Sequence, residues 1–105
     1  MDRENNRILL SLERHRRVIN RERINPEIQQ LDLQSIDPVV SMVADVRAAY
    51  IRALFELAAQ RDGLPTPKQI EQLAHLRKSY QEVVDAANAM EVAIERGYLD
   101  VKSAA

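Results

Sequence analysis

Arginine side chains are the residues of this chain with the clearest capacity for chemistry. Between Arg14 and Arg23, five arginines and one histidine occupy ten positions, although the formal net charge of the whole chain is only -1. Guanidinium groups bind phosphates and carboxylates through paired N–H donors. The segment could therefore contact nucleic acid, hold an anionic ligand, or form the solvated face of a helix.

Projection on a helix at about 100° per residue places five arginines on one side of this segment, opposite Ile8, Leu12 and Ile19. This arginine stripe consists of Arg3, Arg7, Arg14, Arg17 and Arg21. A solvated face is its simplest interpretation, and contact with an acidic protein partner is the functional one that we predict. Nucleic acid is the alternative, against which stands the absence of aromatic residues among the arginines for stacking on bases.

Other charged residues project beside apolar positions. Arg16 and Arg23 lie at the edge of the apolar side of the first segment, and Arg77, Glu91 and Glu95 lie near an apolar side further along the chain. Charges near a core are tolerated only when they are paired and hydrogen-bonded. We therefore predict that these five residues form a structural ion network that fixes helix register.

The residues needed for metal or nucleophilic chemistry are missing or badly spaced. The chain has no cysteine and only two histidines, which excludes a thiolate nucleophile and a zinc ribbon. Neither His15 nor His75 has the Glu-x-x-His spacing of di-iron bundles. Glu71 and Glu82 share a helix face with His75, and we interpret them as a solvated charge cluster.

Small helical bundles can nevertheless be enzymes. In the helical chorismate mutases, arginines that project into a bundle hold a dicarboxylate substrate, and this analogy of fold class gives a further alternative function. The order of their motifs is not matched here, and Lys68, Lys78 and Lys102 offer no lysine aimed at such a pocket. We predict a non-enzymatic protein with no catalytic residue, metal or cofactor.

Composition predicts that helices position all of these residues. Four aromatic residues and two glycines are too few for the turn-rich strands of a sandwich or barrel. The pairs Asn25-Pro26, Asp37-Pro38 and Thr66-Pro67 each place an N-cap residue before proline, and Gly63 and Gly97 can end helices in the left-handed conformation. We predict one all-α domain with helices at about 3–24, 38–62 and 67–96, a connector at 25–37 and a frayed tail at 101–105.

The apolar pattern of the third helix is typical of a coiled coil, with steps of three and four residues. This seam consists of Leu73, Leu76, Tyr80, Val83, Ala87, Met90 and Ile94. Because the link before this helix is short, the second and third helices should form an antiparallel hairpin.

The second helix is apolar on more than one side, with only a narrow polar stripe that includes Asp45, Arg52 and Glu56. Beside its main apolar side lies a second one, the outer face, which consists of Val40, Ala44, Ala48, Ile51, Phe55 and Ala59. A helix that is apolar nearly all round must be buried from several sides. Because the first helix has too few apolar residues to cover it, we predict a homodimer with a helical bundle core. Its predicted self-association residues are Ala86, Ala89, Ala93, Ile51 and Phe55. A monomeric three-helix bundle, with alanines favoured by helix propensity alone, is the alternative.

These observations together predict an interaction or adaptor protein that self-associates and presents a basic helix face to a partner. No segment has the apolar length of a membrane span, and no apolar signal region follows the first residues. The absence of cysteine suits a reducing compartment. We therefore expect a cytoplasmic protein without a membrane contact.

Overall fold

The computed structural model describes residues 2–28 and 31–102, and within these ranges the chain forms helices and no strand. The helix α1 spans Arg3–Ile24, α2 spans Leu33–Gln60 and α3 spans Pro67–Glu95, and a 3₁₀ turn lies at Asn25–Glu27. α2 and α3 pack against each other, so the predicted all-α fold with a helical hairpin is confirmed. No helix in the described ranges has the length and apolar content needed to cross a membrane.

Contacts within the chain group into two compact units. The hairpin unit is Asp37–Ala89 and contains most of α2 and α3. The terminal unit contains the described residues up to Ile36 and those from Met90 onward. The single helical domain expected from the sequence stays a prediction.

The first helix has the bounds that the sequence predicts, because Asp2 caps its start. The Asp2 carboxylate accepts a hydrogen bond from the backbone N–H of Asn5 at 2.9 Å, which satisfies one of the free donors at the beginning of a helix. α1 ends at Ile24, where the 3₁₀ turn with Pro26 follows directly. No side chain of α1 is buried, so this helix contributes little to a core within its own chain.

The second helix begins at Leu33 and not at the predicted residue 38. Its N-cap is Asp32, whose carboxylate accepts hydrogen bonds from the backbone N–H and the hydroxyl of Ser35 at 2.8 and 2.9 Å. These hydrogen bonds lower the pKa of Asp32. Pro38, the predicted first residue, lies inside the helix, where it cannot donate the usual backbone hydrogen bond. The predicted connector therefore ends at Asp32, and its residues 29 and 30 lie outside the described ranges.

Local hydrogen bonds reverse the chain between α2 and α3. Gly63 has a φ of 84°, and its carbonyl accepts a hydrogen bond from the Arg61 guanidinium at 2.9 Å. A capping box then starts α3: the Thr66 hydroxyl accepts from the Gln69 N–H at 3.2 Å, and the Gln69 side chain accepts from the Thr66 N–H at 2.8 Å. This reciprocal pair satisfies two donors of the helix start and fixes the beginning of the returning helix.

The hairpin is held by partly buried side chains and an aromatic contact. Every seam residue of α3 is partly buried, as the alternation of three and four residues predicts. The rings of Tyr50 and Tyr80 stack with centroids 5.9 Å apart. The Arg47 guanidinium lies 5.7 Å from the Tyr80 ring centroid, which holds this arginine against α3 by a cation–π contact.

The terminal unit has a small apolar core, called here the terminal core, made of Leu31, Ala93, Tyr98 and Leu99. Gly97, with a φ of 78°, ends α3 as predicted. The N–H of Tyr98 donates to the Ala93 carbonyl at 2.8 Å, and the N–H of Gly97 donates to the Ile94 carbonyl at 3.1 Å. This is the Schellman arrangement, and it turns the chain back so that Tyr98 and Leu99 cover Ala93.

Val101 and Lys102, at the end of the described chain, are ordered by contacts, although the sequence predicts a frayed tail there. Val101 packs against the terminal core, and the N–H of Lys102 donates to the carbonyl of Leu31 at 2.8 Å. The predicted tail at 101–105 is therefore wrong for its first two residues. The physical reason is that Val101 buries apolar surface which a frayed tail would leave in water. Residues 103–105 lie outside the described ranges.

Candidate interaction surfaces

The outer face of α2 is an exposed apolar surface of the hairpin unit. Phe55 is 69% exposed, Val40 is 58% exposed and Ile51 is 47% exposed. The residues of α2 that are partly buried in this unit lie on another side, because they follow a separate helical row at about 100° per residue. That row consists of Val39, Val43, Val46, Ala49, Tyr50, Ala53 and Leu57. α2 therefore packs one apolar side against α3 and leaves the other uncovered.

Asp45, Arg52 and Glu56 line one edge of the outer face without an ion pair among the described residues. Asp45 and Arg52 project within about 20° of each other at about 100° per residue, and both side chains are exposed. Neither forms an ion pair with any residue that the structure describes. On the opposite edge, Arg47 is held against Tyr80 by the cation–π contact and a 3.5 Å hydrogen bond to the tyrosine hydroxyl. The free charges are thus confined to one edge of the outer face.

The five residues predicted for self-association do not form one surface. Ile51 and Phe55 lie on the outer face, whereas Ala86 and Ala89 are exposed on α3, on the helix side that also carries Glu71 and His75. Ala93 is buried in the terminal core. The prediction for Ala93 requires correction, because Tyr98 and Leu99 fold over it and a second helix could reach it only by opening that core.

The arginine stripe is exposed, and one of its members has an internal partner. Arg3, Arg7, Arg14 and Arg17 are exposed and form no ion pair with any described residue. Arg21 instead binds Asp100 with both guanidinium nitrogens: Nη1 donates to Oδ1 at 3.0 Å, and Nη2 donates to Oδ2. Its Nη1 also donates to the Gly97 carbonyl at 3.0 Å. Arg21 therefore joins α1 to the turn after α3, and four arginines of the stripe remain available.

The Arg21–Asp100 ion pair makes the terminal unit sensitive to acid. The pKa of Asp100 lies below its ordinary value, because Arg21 donates hydrogen bonds to the carboxylate and adds its positive charge. A carboxyl group with a lower pKa in the folded state stabilises the fold above its unfolded pKa, and this contribution disappears as the pH falls through the folded pKa. Both side chains are largely exposed, so the contribution is modest.

We expect Asp100→Asn to lower the free energy of unfolding at neutral pH and to leave it unchanged in strong acid, where Asp100 is protonated in either case. Denaturant titrations across the acid range measure this difference. Asp85→Asn is the matched control, since Asp85 forms no ion pair within the described chain. If the free energy of unfolding still differed between Asp100→Asn and the unchanged chain in strong acid, the acid sensitivity would not come from the Arg21–Asp100 ion pair.

The predicted ion network has no support among the described residues. Arg16, Arg23, Glu91 and Glu95 are exposed, and Arg21–Asp100 is the only ion pair between described side chains. Arg77 lies in the hairpin unit, also exposed and without an ion pair there. Glutamate and arginine at exposed positions gain little from pairing, so register is fixed by other contacts. The sequence analysis missed Asp100, which no helical spacing connects to α1.

One shallow cleft of the terminal unit brings arginines together. Arg16, Arg17 and Arg96 line it with Glu13 and Tyr98, and its volume is about 80 Å³. Ligand pockets usually measure roughly 300 Å³ or more. The cleft is therefore too small to enclose a dicarboxylate substrate.

A larger groove lies between α2 and α3 near the hairpin link. It has a volume of about 550 Å³, and Glu56, Lys68, Glu71 and His75 are among the residues that line it. Among the described residues, no three acidic, histidine or cysteine side chains are grouped closely enough to hold a metal ion. Glu71 and His75 both line this groove, together with Lys68.

Comparison of this chain with protein-family models, with curated proteins and with solved structures finds no match. The interpretation of its surfaces therefore depends on the geometry and the charges described above.

Proposed function

We propose that this chain is a non-enzymatic helical interaction protein that self-associates through the outer face of α2 and presents the arginine stripe to an acidic partner. One observation carries the proposal: no side chain in the hairpin unit is buried, although α2 has apolar residues on most of its circumference. The chain thus leaves a large apolar surface in water. The absence of cysteine supports placing this function in the cytoplasm.

Burial of apolar surface is the main force for helix association, at about 25 cal/mol per Å². A contiguous row of exposed apolar residues on one helix is a feature of interaction sites, whereas single exposed apolar residues are common on any protein. The outer face is such a row, because its members recur every three or four residues from Val40 to Ala59. Association with another helix would cover it.

Light scattering over a dilution series tests self-association directly. The chain has a mass of 12.0 kDa, and we expect about twice that mass at micromolar concentration, with dissociation on dilution. A constant mass of one chain at every concentration would contradict the proposal.

The arginine stripe supports the second part of the proposal. Its exposed members lie on one side of α1 with no ion pair to any described residue, which leaves their guanidinium groups free for acidic side chains. Contact with an acidic surface needs this geometry, because the charges must face the partner together. Nucleic acid remains the alternative partner, since phosphates would use the same donors.

Reversal of three stripe charges should weaken binding to an acidic surface. We expect Arg3→Glu, Arg7→Glu and Arg14→Glu together to weaken retention on immobilised poly-glutamate at low salt by at least about tenfold. Arg21 is left unchanged because it binds Asp100. The combined variant Lys68→Glu, Arg77→Glu and Lys78→Glu changes the charge equally on α3 and should retain binding.

The same variants separate the two kinds of partner. In shift assays with DNA and RNA, binding that falls steeply as salt rises and is lost in the stripe variant would favour nucleic acid. Equal retention of the stripe variant and the control variant on both probes would remove the arginine stripe from the proposed function.

A further inference from the structure

The outer face of α2 has features that identify its occupant. It carries two small residues, Ala44 and Ala48, between larger ones, Val40 on one side and Ile51 and Phe55 on the other, and it has opposite charges along one edge. This inference rests on the proposed function, because it names the partner and the orientation of the same self-association surface.

We propose that the outer face binds the outer face of a second copy, with the two α2 helices antiparallel and related by a two-fold axis beside Ala48. In this arrangement residues whose distances from Ala48 in opposite directions agree to within one position lie at about the same level across the axis. Ala48 meets its own counterpart, Ala44 meets Ile51, and Val40 meets Phe55.

Side-chain sizes favour this register. Ala44 and Ala48 allow the two helices to approach closely, and each small residue faces either its counterpart or a larger one. Ile51 therefore fills the space above Ala44, and Phe55 extends over Val40. A parallel pair would instead place Phe55 against Phe55 and Ala44 against Ala44, which leaves a gap at one level and crowds another.

The charges favour the same orientation. Asp45 precedes Ala48 by nearly the same number of residues as Arg52 follows it, and both lie on one edge of the outer face. A two-fold axis perpendicular to both helices brings this edge of one copy against the same edge of the other. Asp45 of each chain then meets Arg52 of its counterpart, which gives two ion pairs for each dimer.

The opposite edge offers Asp45 only a cation that already has a contact within its own hairpin. In a parallel pair, Asp45 would face the edge that carries Arg47, but Arg47 is held against Tyr80 within its own hairpin. Asp45 and Arg52 are exposed and form no ion pair among the residues described. Their availability and their spacing around Ala48 therefore fit the antiparallel copy.

Charge reversal tests the predicted pairs. We expect Asp45→Arg alone and Arg52→Asp alone each to raise the dimer dissociation constant at least about tenfold, because like charges then meet twice across the axis. An equimolar mixture of the two variants should recover association as a mixed dimer, since positions 45 and 52 are then both positive in one chain and both negative in the other. Sedimentation and native mass spectrometry measure both effects, and circular dichroism checks that each variant is helical.

Spin-label distances test the orientation independently. Because the chain contains no cysteine, Ser41→Cys and Ala59→Cys each introduce one labelling site at the edge of the outer face. At about 1.5 Å per residue, the antiparallel dimer should separate two Ala59→Cys labels by roughly 33 Å. A mixed dimer of Ser41→Cys and Ala59→Cys chains should bring its labels close together. In a parallel dimer the two Ala59→Cys labels would instead lie close together, and the labels of the mixed dimer would lie far apart.

The outcomes distinguish this inference from the proposed function. A chain that remains a monomer overturns both. A dimer with close Ala59→Cys labels, or a dimer whose charge-reversed variants do not recover association when mixed, overturns the antiparallel copy and leaves self-association intact. Recovery in the mixture together with the long Ala59→Cys distance supports the inference.

Discussion

Replacement of Leu99 with alanine is expected to lower the free energy of unfolding by about 3 kcal/mol. Leu99 is only 4% exposed and belongs to a terminal core of four buried residues. Truncation would remove apolar contacts and leave a cavity, and so small a core has few side chains that could move to fill it.

Denaturant unfolding at a fixed protein concentration measures this effect, since association also contributes to apparent stability. Leu64→Ala removes the same atoms from the hairpin link, where the side chain is 88% exposed. We expect that control to change stability by no more than about 0.5 kcal/mol. If both variants lost the same free energy of unfolding, burial of Leu99 in the terminal core would not contribute to stability as predicted.

Removal of the two largest apolar side chains near one end of the outer face should dissociate the dimer. We expect Ile51→Ser and Phe55→Ser together to raise the dimer dissociation constant by at least about 100-fold, which corresponds to about 2.7 kcal/mol. Each chain contributes both residues, so the change is made twice in every dimer. Sedimentation equilibrium over a range of concentrations gives the constant.

Within one chain the same two substitutions should be nearly neutral, because Ile51 and Phe55 are exposed there. Helix content at concentrations below the dimer dissociation constant should therefore match that of the unchanged chain. Leu64→Ser is the matched control, as it removes an exposed apolar side chain away from the outer face and should leave association unchanged. Unfolding of the double variant as a monomer would mean that the outer face packs inside its own chain.

Helix positions could be predicted where local signals agree with one another. The seam of α3 has an unbroken alternation of three and four residues, and the pair Thr66-Pro67 marks its start. At the start of α2 the local signals disagree, because Asp32 and Asp37 are both good N-cap residues. Proline after Asp37 favours the later start, yet Asp32 caps the helix through Ser35 and the helix continues through Pro38.

The terminal unit could not be predicted from local patterns. Arg21 and Asp100 are separated by 79 positions, and an ion pair between distant segments leaves no periodic signal. Asp100 follows Gly97, where the Schellman turn redirects the chain over Ala93. The spacing of Ala86, Ala89 and Ala93 predicts an exposed row on α3. Ala93 is instead covered by Tyr98 and Leu99, which follow the helix and so are not part of its projection.

The outer face could be predicted, because helical projection needs only the sequence and the period of the helix. The structure adds the exposure of its residues and the position of Arg47 against Tyr80. In projection, Arg47 interrupts the apolar surface of α2. Arg47 contacts Tyr80 of α3, and Asp45, Arg52 and Glu56 are the exposed charges along the other edge.

Fluorine NMR of Phe55 tests most directly whether a second copy covers the outer face. Phe55 is the only phenylalanine in the chain, so labelling with fluorophenylalanine gives a signal from this side chain alone. We predict that the difference in its chemical shift between H₂O and D₂O is small at high protein concentration and increases on dilution, as the dimer dissociates and the ring meets solvent. A large and constant difference at every concentration would contradict the account, because the ring would then be in water whether or not other copies are present.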